Sequence, residues 1–120
     1  MENIVNQLIR MEQQLRILHW QTKSYARHNA FGETYSDLGD LIDSFMESWM
    51  GLYGRFELTE KTIPLENLDE MSVSEFVDEN INFLVSLTGQ LDSEKDTDLL
   101  NIRDEMLQKM KKLRYLLTLK

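Results

Sequence analysis

With 120 residues, 13 basic and 21 acidic, the chain has the length of one domain and a net charge of −8. That balance argues against nucleic acid held by bulk electrostatics, because phosphates are neutralised by clustered Lys and Arg. The absence of cysteine excludes a disulfide framework and a thiolate metal site.

No window approaches the ~20 apolar residues a membrane span needs. The opening MENIVNQLIRMEQQ has neither the basic lead nor the unbroken apolar stretch of a signal peptide, so a cytoplasmic protein is expected. The apolar residues recur at helical steps of three and four throughout. Ile4, Leu8, Met11, Leu15, Leu18, Thr22 and Tyr25 predict a first helix over about 3–27. Phe31, Tyr35, Leu38, Ile42, Phe45, Trp49, Leu52 and Phe56 predict a second over about 31–56. The short turn between them, near Arg27 to Ala30, makes the two antiparallel neighbours.

Ser72 and Glu75 read as a capping box ahead of a third helix over about 73–91, whose buried face takes Val73, Val77, Asn80 or Ile81, Leu84, Leu87 and Leu91. After the loop Asp92 to Asp96, a fourth helix over about 97–118 carries Leu99, Ile102, Met106, Met110, Leu113 and Leu117. The basic run Lys109 to Arg114 suits the negative end of its dipole. Met11, Met106 and Met110 read as core filling.

Between the second and third helices lie the 15 residues Glu57 to Met71, with the one proline, Pro64. Such a segment reaches up to ~50 Å extended, against ~39 Å for a 26-residue helix. The expectation is an all-α, ferritin-like four-helix bundle with an antiparallel first hairpin and a crossover running its length.

The outward faces carry a second pattern. Val5, Ile9 and Trp20 form a sparse apolar stripe opposite the first helix's core seam, read as a subunit interface rather than cover for a loop of the same chain. Gly39 and Gly51 lie off the second helix's seam, where each costs roughly 1 kcal/mol relative to Ala; close approach by another helix or backbone would account for them. Asp43 and Glu47 fall on that same outward side, roughly 130–170° from the seam centre.

The two histidines of the chain, His19 and His28, stand in the segment HWQTKSYARHNAFGETYSDLGDLIDSFMES, with Asp43 and Glu47 following. Imidazole with carboxylate is a donor set for a transition metal, iron in particular. His19-Trp20, a short linker, His28, then Asp43 fifteen residues on and Glu47 nineteen on resemble the Dps mini-ferritins that protect DNA in starved bacteria. The short, acidic, Met-rich form is closest in character to small Dps-like proteins of bacteriophages.

The resemblance covers roughly residues 15–50. It implies an iron site at a two-fold subunit interface, with His19 and His28 from one subunit and Asp43 and Glu47 from the other. It also implies ferroxidase-like chemistry and a homodimer or larger homo-oligomer joined through the outer faces of the first two helices.

The chain departs from the family pattern in three places. The family's aspartate one turn after the second histidine falls on Gly32, with Glu33 next door as a substitute metal ligand. The linker between the histidines is about three residues shorter than the family's, and the family's lysine-rich tail and extra crossover helix are missing.

Two further readings stand beside iron oxidation. One is a non-enzymatic, acidic helical interaction protein that meets a phage or host partner by charge complementarity. The other is a storage cage of twelve or more subunits. No Gly-rich phosphate loop or nucleophile elbow points to another enzyme class.

Overall fold

A computed structural model describes residues 2–58 and 60–119; Thr59, inside the expected crossover, lies outside the described residues. Four helices follow one another: α1 (Glu2–Gln21), α2 (Tyr25–Tyr53), α3 (Glu70–Gln90) and α4 (Thr97–Leu116). The 29 residues of α2 would span ~43 Å at 1.5 Å each, which is the molecule's long dimension of 43 Å.

The ends differ from expectation for local reasons. The first break falls at residues 22–24 rather than near Arg27 to Ala30, because Ser24 is extended and its hydroxyl accepts the Arg27 N–H, capping α2. Tyr25 therefore opens α2 and is exposed, and His28 sits in that helix's first turn. Gly54, at φ 87°, ends α2 and donates its N–H to the Met50 carbonyl. The capping box expected at Ser72 and Glu75 is replaced by Asp69, three residues earlier, whose carboxylate accepts the Ser72 N–H at 2.8 Å. Those amide hydrogen bonds hold the Asp69 carboxyl below its usual range.

The connection Gly54 to Asp69 runs along α1. Asn6 reaches Glu60, Arg10 donates to the Pro64 carbonyl, Gln14 pairs with the Glu66 backbone and Gln21 meets Asn67. Contacts that advance together along both segments mean that the crossover ascends α1 from end to end. It delivers α3 to the pole where α2 begins, and there the Arg27 guanidinium lies 3.5 Å from Glu70 and 3.4 Å from the Leu117 carbonyl. Consequently α2 and α3 run parallel, which is the connectivity of a bundle with one long crossover.

The core holds the expected seams: Leu8, Met11, Leu15, Phe31, Leu38, Phe45, Leu84, Leu87, Met106, Met110 and Leu113 are all buried. Each such side chain contributes roughly 1.5–3 kcal/mol on burial. Val5 is buried in the core and Ile9 packs against it, so the stripe read as a subunit interface is largely internal. The chain's own folding covers these two residues, and of that stripe Trp20 alone, at 65% exposed, faces outward. The basic run of α4 also does more than meet a dipole: Lys109, Lys112 and Arg114 pair with Asp37, Glu33 and Asp78 on α2 and α3.

The buried Arg103 and Asp96 are satisfied by nearby groups. Arg103 donates to the Leu84 carbonyl, the Thr88 hydroxyl and Asp104. Asp96 accepts the Asp92 N–H and, at 2.6 Å, the Tyr53 hydroxyl, fixing the α3–α4 loop to the end of α2. The Tyr53 phenol is pushed up to about 12 from 10.0, first by this hydrogen bond to Asp96, then by burial and neighbouring carboxylates. A raised phenol stabilises the fold while it stays protonated; that stability is present below pH 10 and is lost as pH rises toward 12. Ultraviolet titration should show one of the four tyrosines ionising late, and Tyr53→Phe should remove that late step. An unchanged profile in the variant would rule out the Tyr53–Asp96 bond as its source.

Candidate metal centre

His19 lies in the last turn of α1 and His28 in the first turn of α2. The tight connection at residues 22–24 folds one back on the other. The His19 Nδ1 donates to the His28 carbonyl at 2.6 Å, and the His28 Nδ1 donates to the His19 carbonyl at 2.8 Å. Carbonyls only accept, so each Nδ1 carries the proton and, in the neutral ring, each Nε2 keeps an open lone pair. A histidine that binds metal ordinarily has this arrangement, with its second nitrogen anchored to a carbonyl or carboxylate. The same bonds serve the fold, because the His19 carbonyl is among the last four of α1, which lack helical partners.

The rings stack with centroids 3.8 Å apart and planes 18° from parallel, and Tyr35 packs edge-on to His19 at 5.4 Å. Imidazole lone pairs lie in the ring plane. Two near-parallel rings therefore suit two ions, each taking one imidazole, better than one ion taking both.

Gly32 explains how His19 reaches this position. A Cβ there would stand 2.7 Å from the His19 Cε1 and 2.8 Å from its Nδ1, so the ring occupies the space a side chain would fill. The residue standing where the mini-ferritin aspartate would be is thus a cradle for the first histidine. Gly39, two turns further along the same face, makes looser room for Glu12: its missing Cβ would lie 3.3 Å from the Glu12 Oε1. Close approach does account for Gly39, but the approaching group is a side chain of the same molecule. Nothing lies within 4 Å of the corresponding point at Gly51, and nothing in the structure explains that glycine. Burial raises the Glu12 carboxyl above its usual range; Arg16 draws it down and Asp43 pushes it up again.

The structure brings His19 and His28 together and leaves the other expected ligands apart. Asp43 and Glu47 are exposed on α2, and fifteen helical residues put Asp43 about 22 Å along the axis from His28. Glu33 turns toward α4, where Lys112 is 3.9 Å away. Among the described residues no three His, Asp or Glu side chains converge to hold a metal within one chain. Sequence reasoning named the histidines but missed Glu12 and the cradling role of the glycines. The seven-residue spacing shared by Gly32–Gly39 and Glu12–His19 was the available signal.

A protein of phage T4, described as an uncharacterized 14.6 kDa protein in the mobD-ri intergenic region, is 54% identical over 37 residues, 31% of this chain and 29% of the phage protein. The match thus spans less than a third of that relative. No solved structure matches. Neither the phage protein's description nor that of the matching family names a mini-ferritin. The family model of unknown function DUF5856 matches residues 19–117, most of the chain with both histidines included, and the chain belongs to that family.

Proposed function

We propose that the protein binds iron at a Dps-type interface between two copies of the chain, with ferroxidase-like chemistry. The observation that carries this reading is the reciprocal Nδ1–carbonyl pairing, which fixes both histidines with Nε2 free to coordinate. The mixed donor set of His19, His28 and carboxylates suits iron. Because ~22 Å of helix separates the carboxylates from the histidines, Asp43 and Glu47 would come from the partner subunit. Bound Fe(II) would supply an electron to dioxygen or peroxide. The chain's own part is to hold the imidazoles in one tautomer, through two backbone carbonyls, and to present carboxylates from the outer face of α2. A cage of such dimers would store the product.

Anaerobic Fe(II) titration followed by air, watched in the near ultraviolet, tests this. The expected result is stoichiometric binding and oxidation faster than without protein, with one metal equivalent lost in His28→Ala. Stoichiometry unchanged in that variant would sink the site.

One observation favours a second reading, an acidic helical interaction protein without a metal. The histidines already have structural employment as a clasp, and Asp40, Asp43 and Glu47 face outward. No Fe(II) binding by the intact chain would leave that reading in place.

A further inference from the structure

The stripe that joins the histidines to the carboxylates has a symmetry of its own. At 100° per residue, His28, Gly32, Tyr35, Gly39 and Asp43 fall within a band about 80° wide on α2. If two copies pair so that His28 of one faces Asp43 of the other, the helices cross antiparallel about the midpoint of those residues, between Tyr35 and Ser36. Gly32 and Gly39 share that midpoint, so in this pairing each Gly32 faces a Gly39. Each of the two glycines is filled by a polar side chain from α1: His19 over Gly32 and Glu12 over Gly39. The same two-fold operation that carries Asp43 to His28 therefore carries Glu12 to His19.

We propose that Glu12 of each subunit completes the metal centre of the other, meeting His19 across a two-fold axis beside Tyr35 and Ser36. This rests on the metal-binding reading above and adds a ligand to it. With Gly32 contributing none, each imidazole gains a carboxylate from the second copy: His28 from Asp43, and His19 from Glu12. A neutral imidazole on one side and a carboxylate on the other become complementary through a cation held between them, and each subunit supplies both halves, which selects a second copy of this chain as occupant of the face. It is self-complementary, as an isologous interface requires. The polar groove lined by Glu12, Arg16, Tyr35, Ser36, Gly39 and Asp43 lies at the centre of the contact.

The test separates the interface from the metal. Glu12 and His19 are two turns apart on one helix, roughly 10.5 Å, too far for a disulfide within a chain, whose Cα atoms must lie within about 7 Å. In the doubly substituted chain Glu12→Cys, His19→Cys, with no other thiol present, mild oxidation should give a covalent dimer whose peptides join position 12 to position 19. Joins only of 12 to 12 or 19 to 19, or a chain that stays monomeric, would overturn the register. Ser36→Cys leaves the histidine clasp intact and should cross-link to itself; a failure there overturns the axis.

Anaerobic Fe(II) titration of Glu12→Gln should then show affinity weakened about tenfold or more in a protein that is still dimeric. Unchanged affinity beside intact metal binding by the parent chain overturns the Glu12 assignment alone. Cross-linking as expected, with no Fe(II) bound by the parent chain, overturns the metal reading and with it the role of Glu12 as a ligand.

Discussion

Gly32→Ala is expected to destabilise the fold by about 1–3 kcal/mol, against the usual direction for glycine inside a helix. Alanine gains roughly 1 kcal/mol over glycine in helix propensity, and α2 is long and regular at this point. That gain is outweighed by sterics, since the new Cβ would stand 2.7 Å from the His19 Cε1. The ring cannot retreat cheaply. It is held by the His28 carbonyl at 2.6 Å and by the stacked His28 ring at 3.8 Å, and overpacking such a contact costs about 1–3 kcal/mol.

The sign should reverse when the obstacle is removed. In a His19→Ala background, Gly32→Ala should stabilise by up to ~1 kcal/mol. Urea midpoints at constant slope for the four members of this cycle give the coupling directly. If alanine stabilises both backgrounds equally, His19 does not rest on Gly32. The same geometry bears on the proposed centre: Gly32→Asp should weaken metal binding rather than supply the mini-ferritin ligand, because an aspartate there displaces His19.

The helices were legible because their signal is periodic burial. The seams through Leu8, Leu15, Leu38, Phe45, Leu84, Met106 and Leu113 are the buried core, and the long segment around Pro64 is the crossover. The ends were less legible because capping is decided by single polar atoms. Ser72 and Glu75 fit a capping box, but Asp69 was better placed to take the free N–H groups.

The histidine pair was legible as a pair, although its clasp geometry was not. Which atoms of His19 and His28 meet depends on a three-residue connection whose backbone no spacing rule fixes. Val5 and Ile9 misled for a different reason. A helical wheel treats one helix against one core, whereas α1 is met by its neighbouring helices on one side and by the crossover on another. Off-seam glycines were read as close approach by another helix or backbone, whereas Gly39 faces the carboxylate of Glu12 from the same chain and Gly51 faces nothing within 4 Å.

Gln14 shows the same limit, and its substitution should have the largest effect on stability. It is fully buried on α1 and lies on the crossover side, where its amide makes a closed pair with the Glu66 backbone. The Gln14 Nε2 donates to the Glu66 carbonyl at 2.9 Å, and the Glu66 N–H donates to the Gln14 Oε1 at 2.9 Å. Gln14→Glu keeps the shape and, at neutral pH, exchanges the donor for an oxygen facing the carbonyl. An uncompensated buried charge and a broken pair cost about 3–5 kcal/mol.

Protonation restores the pattern, because the carboxylic acid donates through its O–H to the Glu66 carbonyl while its other oxygen accepts the N–H. The carboxyl introduced at position 14 should therefore have a folded-state proton affinity above its unfolded one. The deficit should shrink as pH falls toward the ordinary carboxylate range of about 4.3. Unfolding midpoints of parent and variant across pH, together with proteolysis of the crossover at residues 54–69, read the two consequences separately. A deficit that is constant with pH would mean that the loss comes from packing alone. Early cleavage confined to neutral pH would show that this one amide ties the crossover to α1.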